Sequence, residues 1–360
     1  MLSELEKIEQ KINLYLPDIS SPNFSKWEKD CFGNLNSAVE AKHILPLTQA
    51  PRDLISLGGK RWRPLFLVLC AKAVTESKQF SAEEKESRLE TAYNLTPMLE
   101  FVHTASLIHD DLEDNSSSRR GKPAAYITYG TDIAVNSASW LYFNAALCIQ
   151  NSAASEELKN QLYSLYFCEL RRLHLGQAMD ISWHRNIKEI PSLEQYSAMV
   201  QNKTGTLSSF AAKSGSLAAG ANLDFVENAG KIAARLGEAF QILDDCINLK
   251  TGNPGKKRGD DIVEGKKSLP VLLFFERCKQ TEKEQIFEYF EQAKSEGIES
   301  KSVEKAILLL EKYDCVNLAE KKGLEILKES LCNFEELFGN TPSVQEIKKL
   351  FLNMVPSSVH

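Results

Sequence analysis

The sequence predicts an all-α protein, and three observations lead there. Helical spacing of three and four links Leu95, Leu99, Val102 and Ser106, then Ile232, Leu236, Phe240 and Leu243, then Ala306, Leu309, Leu310 and Tyr313. Strict alternation of apolar and polar residues is scarce, and no convincing hairpin signal occurs. The 12 prolines and 18 glycines are spread over 360 residues as punctuation and do not gather into a linker.

Taken in order, residues 1–50 read as two or three peripheral helices broken around Pro17-Asp18-Ile19-Ser20-Ser21-Pro22. Residues 51–355 read as one helical domain. Within it Thr75 to Arg88 is polar, a loop or an exposed helix start, and Thr251 to Lys267 is a glycine- and lysine-rich loop. Residues 280–355 form a charged helical tail. No repeat of solenoid length stands out.

Composition narrows the function classes. The chain is 43% hydrophobic and 26% charged, ordinary for a soluble globular protein. A net charge of -6 argues against general nucleic-acid binding, since a polyanion needs a basic surface. The first residues show no charged-then-apolar signal pattern, and the apolar runs Leu65 to Cys70 and Val271 to Phe275 are too short to span a bilayer. The eight cysteines form no CxxC pair, so the expectation is a reduced, cytoplasmic protein. The sequons at Asn94, Asn115 and Asn202 then carry no meaning.

The chemistry lies in two acidic words more than a hundred positions apart. Asp110-Asp111-Leu112-Glu113-Asp114 follows the apolar Leu107-Ile108, and Asp244-Asp245-Cys246-Ile247-Asn248 follows Phe240-Gln241-Ile242-Leu243. Residues i and i+4 share a helix face, so Asp110 pairs with Asp114 and Asp244 with Asn248. Gathered acids repel unless a cation neutralises them, and Mg²⁺ takes one or two carboxylates plus substrate phosphates. Basic words flank them: Gly58-Gly59-Lys60-Arg61-Trp62-Arg63-Pro64, Arg119-Arg120-Gly121-Lys122-Pro123, Lys203-Thr204, and the lysines of 255–267. Arginine grips phosphate as a fork and lysine as a point charge. Singly each is an ordinary surface charge; together they exceed what one monophosphate needs.

The constellation resembles the trans-isoprenyl diphosphate synthases, the polyprenyl synthetase family. The matching words, all in family order across about residues 50–275, are Gly-Gly-Lys-Arg-x-Arg-Pro at 58–64, Glu100-x-x-His103-Thr104-Ala105-Ser106-Leu107-Ile108-His109-Asp110-Asp111, Arg119-Arg120-Gly121-Lys122-Pro123, Gly176-Gln177-Ala178-Met179-Asp180, Lys203-Thr204-Gly205, Phe240-Gln241-x-x-Asp244-Asp245 and Glu264-Gly265-Lys266-Lys267-Ser268-Leu269-Pro270. The resemblance implies an isoprenoid-synthase-type helical bundle around a deep central cavity, usually a homodimer. It implies that Asp110, Asp114 and Asp244 bind three Mg²⁺ ions through an allylic diphosphate, supported by Asp111, Asp245 and Asp261. Arg119, Lys203, Gln241, Lys256 and Lys266, with Thr204, would hold the same allylic group (dimethylallyl, geranyl or farnesyl). Lys60, Arg63, His103 and Arg120 would hold isopentenyl diphosphate. Ionisation would give an allylic cation, attack by the isopentenyl double bond would extend it, and the departing diphosphate would take the proton. The Lys203 carbonyl and the Gln241 amide could steady the cation. His109, Trp183 and His184 are read as structural, as is Cys246. Asn248 departs from the Asp of the family word, and Ala138-Ser139 stands where many members carry Gly-Asp or Gly-Asn.

Chain length in this family is gated four and five places before the first Asp. Here those residues are Ser106 and Ala105, both small, which implies a product longer than farnesyl. The expected product is geranylgeranyl diphosphate, with farnesyl and longer polyprenyl products as alternatives. Phe101, Met98, Trp140, Tyr142 and Phe143 are candidate floors. Two rivals are weaker. A class I terpene cyclase would carry an Asn/Asp-Ser/Thr-Glu word and no isopentenyl site, and a silent regulatory subunit would be expected to lose its acids.

Overall fold

The computed structural model describes residues 2–252 and 257–354. It is helical throughout: α1 (Leu2–Tyr15), α2 (Phe24–Phe32), α3 (Ala41–Ser56), α4 (Trp62–Ser77), α5 (Ala82–Glu113), α6 (Ala125–Tyr129), α7 (Thr131–Ala145), α8 (Leu147–Gln150), α9 (Glu156–Arg185) and α10 (Leu193–Val200). A π-helical turn (Gln201–Gly205) leads into α11 (Thr206–Ala218). Then come α12 (Leu223–Lys250), α13 (Asp260–Glu264), α14 (Leu269–Arg277), α15 (Gln280–Glu296), α16 (Lys301–Lys312), α17 (Cys315–Phe338) and α18 (Pro342–Leu352). None of the described helices is long and apolar enough to cross a membrane.

Two expectations need correction. The 251–267 stretch is not all loop, because α13 forms within it between Gly259 and Gly265, both left-handed. A small hairpin also exists: β1 (Ser118–Arg119) pairs antiparallel with β2 (Lys122–Pro123). Its central residues Arg120 and Gly121 have φ 52° and 76°, the positive pair of a type I′ turn. Arginine is a poor signal for that conformation, which is why the sequence concealed it.

The chain forms two compact units. The first holds the described residues up to Cys168, with Phe210–Gly230 and Leu337–Leu350. Around its axis α5, α4, α7, α3 and α1 pack. Leu65 to Ala71 of α4 are all at most 3% exposed, the mark of a helix apolar on every side. The first three helices run from Leu2 to Ser56, and Ile8, Ile12 and Trp27 of α1 and α2 are buried. The polar 75–88 stretch ends α4 and starts α5 with a capping box: Ser81 Oγ accepts from the Glu84 N–H and Glu84 from the Ser81 N–H. The second unit holds Glu169–Ser209, Lys231–Glu336 and the described residues from Phe351. There α15 packs on α16 and on α13, and α10 on α14.

Candidate active site

In the first unit the apolar face of α5 runs into its acidic end. Asp110 and Asp111 lie in the last turn and Asp114 caps it, its N–H donating to the Asp110 carbonyl at 2.9 Å. Asp111 is buried, and Asp110 and Asp114 are half-buried. The β1–β2 hairpin brings Arg119 back onto this anion cluster. Its Nε donates to Asp111 Oδ1 at 2.8 Å, its Nη2 makes a closer contact with the same oxygen, and Nη2 lies 3.5 Å from Asp110 Oδ2. The guanidinium brings a positive charge against this acid pair.

A second cationic corner forms around the loop before α4. Arg61, left-handed at φ 46°, is buried and donates to Glu100 at 2.7 Å, to Glu9 at 2.6 Å and to the Ile55 carbonyl at 2.8 Å. It fastens the Gly-Gly-Lys-Arg word to the Glu-x-x-His word. Lys60, its neighbour, is exposed. Arg63 stacks on Trp62 at 4.3 Å and lies 3.4 Å from His103 Nε2. Arg120 donates to the Leu54 carbonyl at 3.0 Å and more closely to that of Gly58, which ties the hairpin to this loop. Burial, then the charges of Arg63, Arg120, Arg119 and Arg61, hold the His103 imidazole well below its usual range. At neutral pH it is therefore an uncharged donor, not a cation.

One turn before the acids, Ala105 is fully buried, while Ser106 is half-buried and donates to the His103 carbonyl at 2.8 Å. Met98 and Phe101 are fully buried. On α7, Trp140 stacks on Phe32 at 6.2 Å and meets Trp27 edge-on, so the N-terminal α2 sets its position. Phe143 is 75% exposed, which removes it as a floor. The departure at 138–139 acquires an account: Ala138 is buried on a helix packed against α5, and Ser139 Oγ lies 3.4 Å from His109 Nε2.

In the second unit the π turn presents Lys203 and Thr204. A π turn is a local widening often found at functional sites. Two close approaches seat it. A Cβ on Gly176 of α9 would lie 2.3 Å from the Lys203 nitrogen, and one on Gly205 2.6 Å from the Ala234 carbonyl oxygen of α12. Only glycine admits backbones that near. Lys203 Nζ donates to Asp180 Oδ2 at 2.6 Å. Thr204 Oγ1 donates to Gln241 Oε1 at 2.8 Å, and Gln241 Nε2 to Asp245 Oδ1 at 2.8 Å.

The second acidic word is split by burial. Asp244 is half-buried, Asp245 is buried, and Asn248 is 0% exposed. Burial and then the charge of Asp261 raise the Asp245 carboxyl well above its usual range; Asp244 adds to this, while Lys266 and Gln241 oppose it. Lys266 Nζ holds Asp261 at 2.7 Å and Glu264 at 2.8 Å. Burial works against the Lys266 ammonium, but Asp261, Glu264 and Asp245 outweigh it and raise its pKa well above the usual range. Asn248 faces inward: its Oδ1 accepts the Asp261 N–H at 3.3 Å and its carbonyl the Gly259 N–H at 3.1 Å. An amide does this without adding a further negative charge to Asp244, Asp245 and Asp261. Lys256 lies outside the described residues. Among the described residues no three His, Cys, Asp or Glu side chains converge to hold an ion by themselves. Each word by itself still offers half-buried carboxylate oxygens that suit a divalent cation also taking phosphate oxygens.

Several residues here escaped the sequence reading. The sequence assigns Asp180 no role and reads His184 as structural, yet His184 Nε2 lies 2.8 Å from Asp180 Oδ1. Their i, i+4 spacing on a helix was the available signal. Glu238 was also missed: it accepts from Ser197 at 2.7 Å, Gln201 at 2.8 Å and Arg235 at 2.7 Å, clamping the start of the π turn.

Comparison with known proteins gives a consistent picture. A family model described as polyprenyl synthetase matches residues 46–307. A geranylgeranyl diphosphate synthase of Sulfolobus acidocaldarius is 31% identical over 287 residues, 76% of this chain and 81% of that protein. A geranylgeranyl pyrophosphate synthase of Macrophomina phaseolina is 34% identical over 233 residues, 63% of this chain and 64% of that protein. The chain spans between 47% and 64% of the length of the fungal relatives it matches. Among solved structures, the geranylgeranyl pyrophosphate synthetase of Pyrococcus horikoshii superposes with a TM-score of 0.77 at 26% identity, covering 98% of this chain and 96% of that one.

Proposed function

This chain belongs to the polyprenyl synthetase family, and we propose that it is a trans-prenyltransferase condensing isopentenyl diphosphate with an allylic diphosphate. The observation that carries this reading is a pair of acid-rich words, each met by basic side chains of the family pattern. Asp110 and Asp111 draw Arg119 onto themselves, and the Asp245 carboxyl is raised by burial and by Asp261. Both clusters fit a diphosphate brought with magnesium. When bound, Mg²⁺ neutralises the diphosphate and acts as Lewis acid for its departure.

The chain's own groups have distinct tasks. Asp110 and Asp114 in the first unit, and Asp244 in the second, are half-buried carboxylates that the family resemblance assigns to Mg²⁺, three ions per site being the number we expect. Arg119, Lys203 and Lys266 grip the allylic diphosphate, and Thr204 and Gln241 hold the adjoining wall as one hydrogen-bonded chain. Lys60, Arg63, Arg120 and neutral His103 take isopentenyl diphosphate, with Arg61 as the buried brace behind them. Oriented donors of this kind stabilise charge that develops as the leaving group departs.

Small side chains at 105 and 106, and the geranylgeranyl diphosphate synthase activity of relatives, support geranylgeranyl diphosphate as the product. Ile127, Val135, Phe143 and Phe167, each 40% to 75% exposed in the first unit, support pairing with a second copy. Eight free thiols support a reducing, cytoplasmic setting. The test is purified protein with labelled isopentenyl diphosphate, each primer and Mg²⁺, with products sized by chromatography. Chelator-sensitive incorporation into a C20 chain is expected; no incorporation with any primer overturns the reading.

A further inference from the structure

The end of α9 holds an arrangement that this scheme leaves unused. Asp180 is 6% exposed, and its carboxylate stands between two basic side chains. Lys203 Nζ lies 2.6 Å from one oxygen and His184 Nε2 2.8 Å from the other. His184 is itself only 8% exposed. Burial alone would push the Asp180 carboxyl up, but Lys203 and His184 outweigh it and hold it well below the usual range. A further basic side chain, the buried Lys267, also feels the Asp180 charge. The site is thus a fixed anion with geometry set from both sides: α9 fixes Asp180 and His184, and the Gly176 approach fixes the Lys203 backbone.

We propose that Asp180 and His184 are a positioning pair for the reaction, Asp180 aiming the Lys203 ammonium and His184 holding Asp180 in place. This rests on the prenyltransferase reading above. The physical reason is preorganisation. A lysine has a long flexible stem, and an ammonium already pinned at its base loses less freedom when it meets a diphosphate. The backbone of the same residue lies in the π turn, so aiming the ammonium also steadies the turn that carries Thr204.

Two arms test this. The first needs no activity: brief acylation with acetic anhydride, read by peptide mass spectrometry. Ion pairing shields an amine, so Asp180→Asn should raise labelling at Lys203 about threefold or more and leave exposed Lys60 unchanged. The second is kinetic. Asp180→Asn should lower kcat/KM for the allylic primer about tenfold and leave the KM for isopentenyl diphosphate within about twofold. In a Lys203→Gln background the same change should cost nothing further, since the two act as a unit. Asp180→Glu should recover part of the loss. His184→Gln should lower primer kcat/KM about threefold, and His184→Arg, which keeps a nitrogen donor toward Asp180, should restore it. The His184 variants carry the test should Asp180→Asn fail to fold. Unchanged Lys203 labelling, equal effects on both substrates, full additivity with Lys203→Gln, or improved primer use would each overturn the proposal. Should the wild type incorporate no isopentenyl diphosphate, the functional reading falls, and the labelling arm still decides whether the pair holds Lys203.

Discussion

Replacing Gly176 with alanine tests the seat of the π turn with a single methyl group. The added Cβ would lie 2.3 Å from the Lys203 nitrogen, 2.7 Å from the Asn202 carbonyl carbon and 2.8 Å from the Lys203 Cα. All three are backbone atoms, so no side chain can swing aside. Ordinary contact begins near 3.4 Å, so α9 and the π turn must part by about 1 Å. Overpacking of this kind costs roughly 1–3 kcal/mol, which in a protein of this size lowers Tm by about 1–4 °C. The catalytic cost should be larger than the stability cost. The displaced residue is Lys203, and a 1 Å misplacement of a binding group costs about a hundredfold in rate. The assay is steady-state incorporation of isopentenyl diphosphate beside a thermal melt. The expected result is kcat down by roughly two orders of magnitude in a protein that still melts cooperatively. Wild-type turnover with wild-type Tm would refute the reasoning, since the close approach would then not hold Lys203 in place.

Four further outcomes follow from the same geometry. Asp110→Asn and Asp244→Asn should each cut turnover by about two or more orders of magnitude while leaving the melt unchanged, and chelator should abolish activity that Mg²⁺ restores. Arg63→Ala should raise the KM for isopentenyl diphosphate about ten- to hundredfold and that for the primer far less, from the loss of a charge-assisted contact. Ala105→Tyr should shorten the product to farnesyl diphosphate on chromatography of the dephosphorylated lipids. Ser106→Phe, at the half-buried neighbour, should do so with less strain, and an unchanged profile in both would move the gate elsewhere. For His103 the folded pKa lies below its ordinary 6.5, so the unfolded chain binds the proton first as pH falls. Stability should be full above pH 6.5 and decline below it, and His103→Gln should flatten that slope in urea melts at pH 7 and pH 5.

What the sequence determined by itself was the periodicity and the inventory of charge. Apolar spacing of three and four turns into helices because a helix must bury one face, and the long, strongly patterned segments around α5 and α12 left no competing reading. The seven words named the groups that could hold diphosphate and magnesium before any fold was in view. Tertiary structure alone decided which of those groups answers which. Lys60 and Arg61 are adjacent and equally basic, yet one is exposed and the other is locked between Glu9 and Glu100. Trp140 and Phe143 lie one turn apart, yet Trp140 packs under α2 and Phe143 is 75% exposed. His184, read as inert, lies against Asp180, and Asn248, placed on the acidic face, turns inward to hold the Asp261 N–H. Spacing along a helix sets which residues share a face, but the partner packed against that face sets its burial, its counter-charge and hence its chemistry, and for Arg61 and Trp140 that partner comes from an element more than thirty residues away in the chain.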